Sequence, residues 1–152
     1  MDLNRRWVLV SGVVLLTGCT TPGTLTLECA HQRTDEIFGT RTVAPGDTVR
    51  LSWIHSIELT DWTDTFRVED RGFTLIETEF SSYGAGMPTG TEEGTVHLGE
   101  DSLRITDLDR PFESIRWIHS VRQRHRIDVA EARNVFDTDS LPDRQPLELR
   151  TR

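Results

Sequence analysis

Two residues stand out as able to do chemistry, His55 and Asp64. His55 lies in Val49-Arg50-Leu51-Ser52-Trp53-Ile54-His55-Ser56-Ile57, which alternates strictly. Period two predicts a half-buried strand, with Val49, Leu51, Trp53, His55 and Ile57 on one face. An imidazole among a tryptophan and aliphatics needs polar partners for its ring nitrogens. With a loop from Glu58 to Thr63, Ile57 pairs with Asp64 and His55 with Phe66. Asp64 then sits diagonal to His55 on the same face, within reach of its ring. A His–Asp pair fixes the tautomer of the ring, and it serves general-base catalysis, metal ligation or plain core satisfaction equally well. Ser56 follows His55 directly and therefore faces away from it, so no nucleophile is legible beside the base.

The tetrapeptide Trp-Ile-His-Ser returns in Ile115-Arg116-Trp117-Ile118-His119-Ser120-Val121. Nine residues after each histidine stands an aspartate, Asp64 after His55 and Asp128 after His119. This is an internal duplication of one strand-turn-strand unit, or coincidence. The plain reading of His55 and His119 is two core histidines, and the sharper one is a binding site. His31, His97 and His125 show no metal-ligand spacing, and a metal would need a third ligand. No Ser-His-Asp elbow, phosphate loop or zinc motif is legible, so no cofactor and no enzymatic activity are expected.

A second unusual stretch is Phe80-Ser81-Ser82-Tyr83-Gly84-Ala85-Gly86-Met87-Pro88. Its glycines permit left-handed backbone and close approach to a ligand. Successive backbone N–H groups in such a turn can form an anion-binding nest. The same residues also suit a tight loop leaving a strand.

The elements that must position these groups are strands. Helix signals are poor, whereas short apolar alternations recur between turn signals such as Ala44-Pro45-Gly46-Asp47 and Asp70-Arg71-Gly72. Strands are predicted near 24–30, 36–43, 48–57, 64–69, 73–82, 94–98, 102–107, 114–121, 126–131 and 145–150. That pattern predicts an all-β fold, an antiparallel β-sandwich or partly open barrel. A short helix over 129–135 fits Ala130-Glu131-Ala132-Arg133, and the tail from Asp137 to Pro146 reads as loop. Arg122-Gln123-Arg124-His125-Arg126 reads as an exposed basic turn.

The chain opens with Arg5-Arg6-Trp7 and an apolar run to Leu16, then Leu16-Thr17-Gly18-Cys19. A basic start and a short apolar run predict an export signal, since a spanning helix needs roughly 20 apolar residues. Leu-Thr-Gly-Cys resembles a lipobox, in which the Cys19 thiol is lipidated and becomes the mature N-terminus. The paired arginines resemble a twin-arginine signal, with the general secretory route as the alternative. Residues 1–18 are thus expected to be the signal peptide, 19–23 a tether and 24–150 a single β domain. Lipid on Cys19 would anchor the exported protein to the outer face of the cell membrane. Cys29 is then the one remaining thiol, which excludes an intramolecular disulfide framework.

All 17 basic residues are arginine, against 25 acids, for a net charge of −8. The acidic balance argues against nucleic acid, which needs a basic footprint. An acid-rich, lysine-free composition resembles that of proteins from extreme halophiles.

Taken together, His55-Ser56-Ile57-Glu58, the acidic Asp64 before Phe66 and Val68, and Glu77-Thr78-Glu79-Phe80-Ser81-Ser82-Tyr83-Gly84-Ala85-Gly86-Met87-Pro88 resemble the DUF1850 family. The resemblance covers 48–90 well and 94–131 loosely. The family usually has Glu where Asp64 stands, which keeps the charge and shortens the reach. The resemblance implies a small exported protein, often encoded beside TAXI-type TRAP transporters, and hence an accessory role toward transporter membrane subunits or a small solute. It places His55, Ser56, Glu58, Asp64, Tyr83, Gly84, Ala85, Gly86, Pro88 and His119 at a ligand-binding site. The alternatives are a structural cell-surface β module and a small hydrolase using His55 and Asp64.

Overall fold

The structure is a computed structural model that describes residues 23–57, 59–81, 94–100 and 102–152. Glu58, the stretch from Tyr83 to Pro88 and the Cys19 segment lie outside the described residues.

Eleven strands are formed: β1 (Leu25–His31), β2 (Ile37–Val43), β3 (Thr48–Ile54), β4 (Asp61–Val68), β5 (Phe73–Phe80), β6 (Thr95–Leu98), β7 (Leu103–Thr106), β8 (Arg110–Phe112), β9 (Ile115–Ile118), β10 (Arg126–Val129) and β11 (Pro146–Thr151). They make two antiparallel sheets packed as a sandwich, without closure into a barrel. The smaller sheet has the order β2-β1-β11-β9. The larger runs β10-β3-β4-β5-β7-β6, with β8 also pairing β5. Ten strands fall where the alternation predicts them. Strand β8 was missed, because Arg110-Pro111-Phe112 is too short to alternate and carries a proline.

The core is the inward-facing set of both sheets. Leu27, Cys29, Leu147 and Leu149 from one sheet meet Val49, Phe66, Val68, Phe73 and Ile127 from the other, all buried. Burying a side chain of this kind stabilises by about 1.5–3 kcal/mol. Cys29 is fully buried, and desolvation pushes its thiol up to about 12, so it behaves as a small apolar residue. The outer face of the smaller sheet is polar but not open. Arg150 reaches Glu28 at 2.8 Å and Glu148 at 3.3 Å, and it also pairs with Asp35. Arg116 takes the other oxygen of Glu148 at 3.2 Å.

Two elements differ from the sequence expectation. Strand β3 ends at Ile54, because His55 and Thr60 close a tight hairpin: the His55 N–H donates to the Thr60 carbonyl at 2.8 Å, and the Leu59 N–H to the His55 carbonyl at 2.9 Å. Leu59 adopts a left-handed φ of 55° inside this loop, and Ile57 is driven into solvent, 83% exposed. The β3–β4 register therefore pairs Leu51 with Asp64 and Trp53 with Trp62. The pairing slides while its phase is kept, so Asp64, Phe66 and Val68 still face inward with Leu51 and Trp53.

The helix expected over 129–135 is instead a tight turn bridged between Val129 and Ala132. Ala130 and Asn134 have positive φ, and Asp128 holds the turn by accepting from the Asn134 N–H at 2.9 Å and the Arg133 guanidinium at 2.7 Å. The Ala130 N–H reaches Thr48 and the Val135 N–H reaches Ile127, so sheet pairing wins over a weak helix propensity. Beyond the turn, Phe136 lies on β2 at Gly39, where a Cβ would come within 2.9 Å of its ring. The chain thus spans the edge from β10 in one sheet to β2 in the other.

Candidate functional site

The two Trp-Ile-His-Ser segments lie in opposite sheets, β3 in the larger and β9 in the smaller. Their surroundings differ. Strands β3 and β4 pair as a hairpin, whereas β9 pairs β11 and the following β10 crosses to pair β3. The strand-turn-strand pairing of the first copy is therefore not repeated in the second. Alternation aims Trp53 and Trp117 into the sandwich from its two sides. Between the sheets they border a cleft of about 380 Å³, which Leu51, Asp64, Phe66, Leu75, Phe112, Ile115 and His125 also line. A space of this size with mostly apolar walls and few polar groups has the form of a small-molecule site.

An aromatic path runs along the cleft. His55 packs on Trp62 with ring centroids 5.6 Å apart, and Trp62 stacks on Trp53 at 5.8 Å and on Phe80 at 4.5 Å. Trp53 stacks on His125 at 6.5 Å, and His125 meets Trp117 at 6.2 Å and His119 at 5.1 Å. These separations suit offset or tilted aromatic pairs. The path links the histidines of the two tetrapeptides through rings, with no direct contact between them.

Asp64 does not meet His55. Its Oδ1 accepts from the Thr78 hydroxyl at 2.6 Å and from the Trp62 indole N–H at 3.1 Å. Thr78 is its cross-strand partner on β5, and a bulge near Thr65/Phe66 brings both Thr78 and Leu75 onto the inner face. The carboxylate is half-buried, screened from bulk water and open to the cleft. Desolvation raises its pKa, against the opposing hydrogen bonds from Thr78 and Trp62. The His–Asp dyad that a hydrolase would need has no hydrogen bond here. Ser56 is exposed in the hairpin turn.

Three imidazoles keep an unpaired ring nitrogen. His55 Nδ1, His119 Nε2 and His125 Nδ1 are buried and take no hydrogen bond. His119 Nδ1 accepts a long bond of 3.4 Å from the Trp117 indole. Burial lowers the His119 pKa, while Asp143, the Thr138 backbone and Asp139 oppose it. Burial also brings His125 down to about 4, helped by its neighbour His119 and opposed by a hydrogen bond with the Ser120 backbone. Both rings are therefore neutral at pH 7. Among the described residues, no group of three side chains is placed to hold a metal ion.

Trp62 and His125 are the site residues that sequence reasoning missed. His125 is not part of an exposed basic turn: it is 4% exposed, while Arg122, Arg124 and Arg126 around it face solvent. Its signal was present, since His125, Ile127 and Val129 alternate in phase and continue the buried face of β10. Asp128, in the opposite phase, belongs to the turn that follows.

The fold and the cleft define a β-sandwich protein with an aromatic site between its sheets. The chain belongs to the DUF1850 family: residues 49–135 match this domain of unknown function, from β3 through the turn after β10. No curated protein and no solved structure matches the chain. The match takes in every described cleft residue and leaves β1, β2 and β11 outside it.

Proposed function

We propose that this protein is a lipid-anchored extracytoplasmic accessory protein of a TAXI-type TRAP transport system, holding a small solute between its sheets. The observation that carries the solute reading is the cleft, where Asp64 presents a carboxylate oxygen that no described donor takes. Buried polar groups are ordinarily satisfied, and those left open at a cavity are positions for a ligand. The transporter link rests on family membership, and the anchor on the Leu16-Thr17-Gly18-Cys19 motif. Acidic surface charge suits a protein that stays soluble while tethered at a membrane.

The test is solute uptake in cells lacking this protein, complemented with the wild-type chain, Cys19→Ala or Trp53→Leu. Both variants are expected to accumulate and to restore uptake poorly, Cys19→Ala because it leaves the membrane fraction. Full uptake without the protein, together with no transporter subunit co-purifying with it, would reject the accessory role.

A further inference from the structure

We infer that the cleft takes a protonated alkylamine, with its ammonium held by Asp64 and its alkyl chain against the facing tryptophans. This deepens the solute-binding reading and rests on it.

The sign of the ligand follows from what faces the cavity. Asp64 uses Oδ1 for Trp62 and Thr78, and no described donor reaches Oδ2. Among the described residues no cation acts on this carboxylate; the influences on it are burial and those two hydrogen bonds. Arg116 borders the cleft but alternates with Ile115 and Trp117, and its guanidinium is held outside by Glu148 at 3.2 Å. A negative group within apolar walls therefore lacks a counter-charge, and a cationic ligand supplies one. A carboxylate ligand would place like charge beside Asp64, and among the described residues no inward-facing arginine offsets it.

The donor requirement follows from Asp64. Its Oδ2 is an acceptor left to a ligand, so the ligand must bring an N–H donor. A quaternary ammonium has none. The walls suit the same ligand, because Trp53 and Trp117 offer ring faces that attract a desolvated cation. The aliphatic part finds Leu51, Leu75 and Ile115.

The experiment is titration calorimetry on the full chain, purified from membranes in nonionic detergent. The probes are n-butylammonium, n-butanol and butyrate, with tetramethylammonium as a fourth arm. Butylammonium is expected to bind at least tenfold more tightly than the other three. Asp64→Asn, nearly the same shape, is expected to weaken it tenfold or more while keeping the melting temperature. Binding of butyrate, butanol or tetramethylammonium as tight as that of butylammonium would overturn the amine assignment and leave a solute cleft. So would undiminished butylammonium binding by folded Asp64→Asn. No heat from any probe at millimolar concentration would remove the amine assignment and the solute reading together.

Discussion

Trp53 and Trp117 occupy the same position in two identical tetrapeptides, yet they sit in opposite sheets and pack against one shared ring, His125, at 6.5 and 6.2 Å. The repeated motif thus builds two walls of a single cleft. Each copy supplies an inward tryptophan, and each is followed by a histidine at the end of its strand. His125, from neither copy, connects the two walls.

The pH dependence of stability should report on that connecting ring. The folded state holds the His125 pKa near 4, against about 6.5 in an unfolded chain. Between these values the unfolded state binds more protons, so stability falls as pH drops from 6.5 toward 4. The loss should reach about 3 kcal/mol, with His119 adding to it in the same direction. Urea unfolding from pH 7.5 to 4.5 checks this, and His125→Phe should flatten the curve. Asp35 and Glu69 have pKa values lowered by Arg150 and by Thr74 and Arg67, so their contributions begin to be lost only at the acid foot of this window and go mostly below it. An unchanged profile in His125→Phe would mean that other groups drive the acid loss.

Asp64 should behave in the opposite sense. Its folded pKa is raised by desolvation, so its contribution to stability is full below the unfolded carboxylate value and is lost as pH rises through the folded one. Above that folded value, and without ligand, the charge is a burden on the fold. Asp64→Asn keeps an oxygen for the Trp62 and Thr78 donors and removes that charge. Its melting temperature is expected to be equal to the wild type or a few degrees higher, a gain on the order of 1 kcal/mol at most. A marked drop would mean that the carboxylate serves the fold and is not held ready for a ligand.

Much of this arrangement was legible in the sequence, and the reasons for the rest are local. Alternation located ten strands, because a strand buried on one face must repeat with period two. It also placed Asp64 on the inner face, since sliding the β3–β4 pairing left its phase intact. What it could not fix was the register, which the His55–Thr60 hairpin closure sets. The expected contact of Asp64 with His55 therefore gave way to Trp62 and Thr78. His125 was hidden by the arginines beside it, whose charge reads as surface while alternation carries the imidazole inward. The Tyr83–Pro88 loop and Glu58 lie outside the described residues, so their relation to the cleft rests on the motif alone.

Charge on the outer face of the smaller sheet offers a separate test. Arg150 is held between Glu28 and Glu148, and all three side chains are at most 16% exposed. Removing the arginine leaves Glu28 to Arg152 at 3.1 Å and Glu148 to Arg116 at 3.2 Å, both more exposed than Arg150. Arg150→Met is expected to cost about 1.5–3 kcal/mol in urea unfolding, with weak dependence on salt. The double variant Glu28→Gln with Arg150→Met should recover part of that, because Glu148 alone then draws on the remaining arginines. A double variant as unstable as the single one would place the cost in packing of the arginine stem.

The turn at Gly72 is tied to the cleft wall. Gly72 has a φ of +73°, and a Cβ there would lie 2.3 Å from the Phe112 carbonyl oxygen and 3.1 Å from the Glu113 Cα. Both obstacles are backbone, so no side chain can rotate to make room. Gly72→Ala must displace the end of β8 from β5, where Phe112 pairs with Phe73. Phe112 lines the cleft and packs edge-on against Phe66 at 5.8 Å, so the wall opens as the strand moves. The expected loss is about 3 kcal/mol, from left-handed strain plus the broken pairing. Hydrogen exchange should show faster exchange in Arg110–Phe112 and little change in β1 and β11. Uniform acceleration across both sheets would instead mean that β8 unfolds only with the whole sandwich.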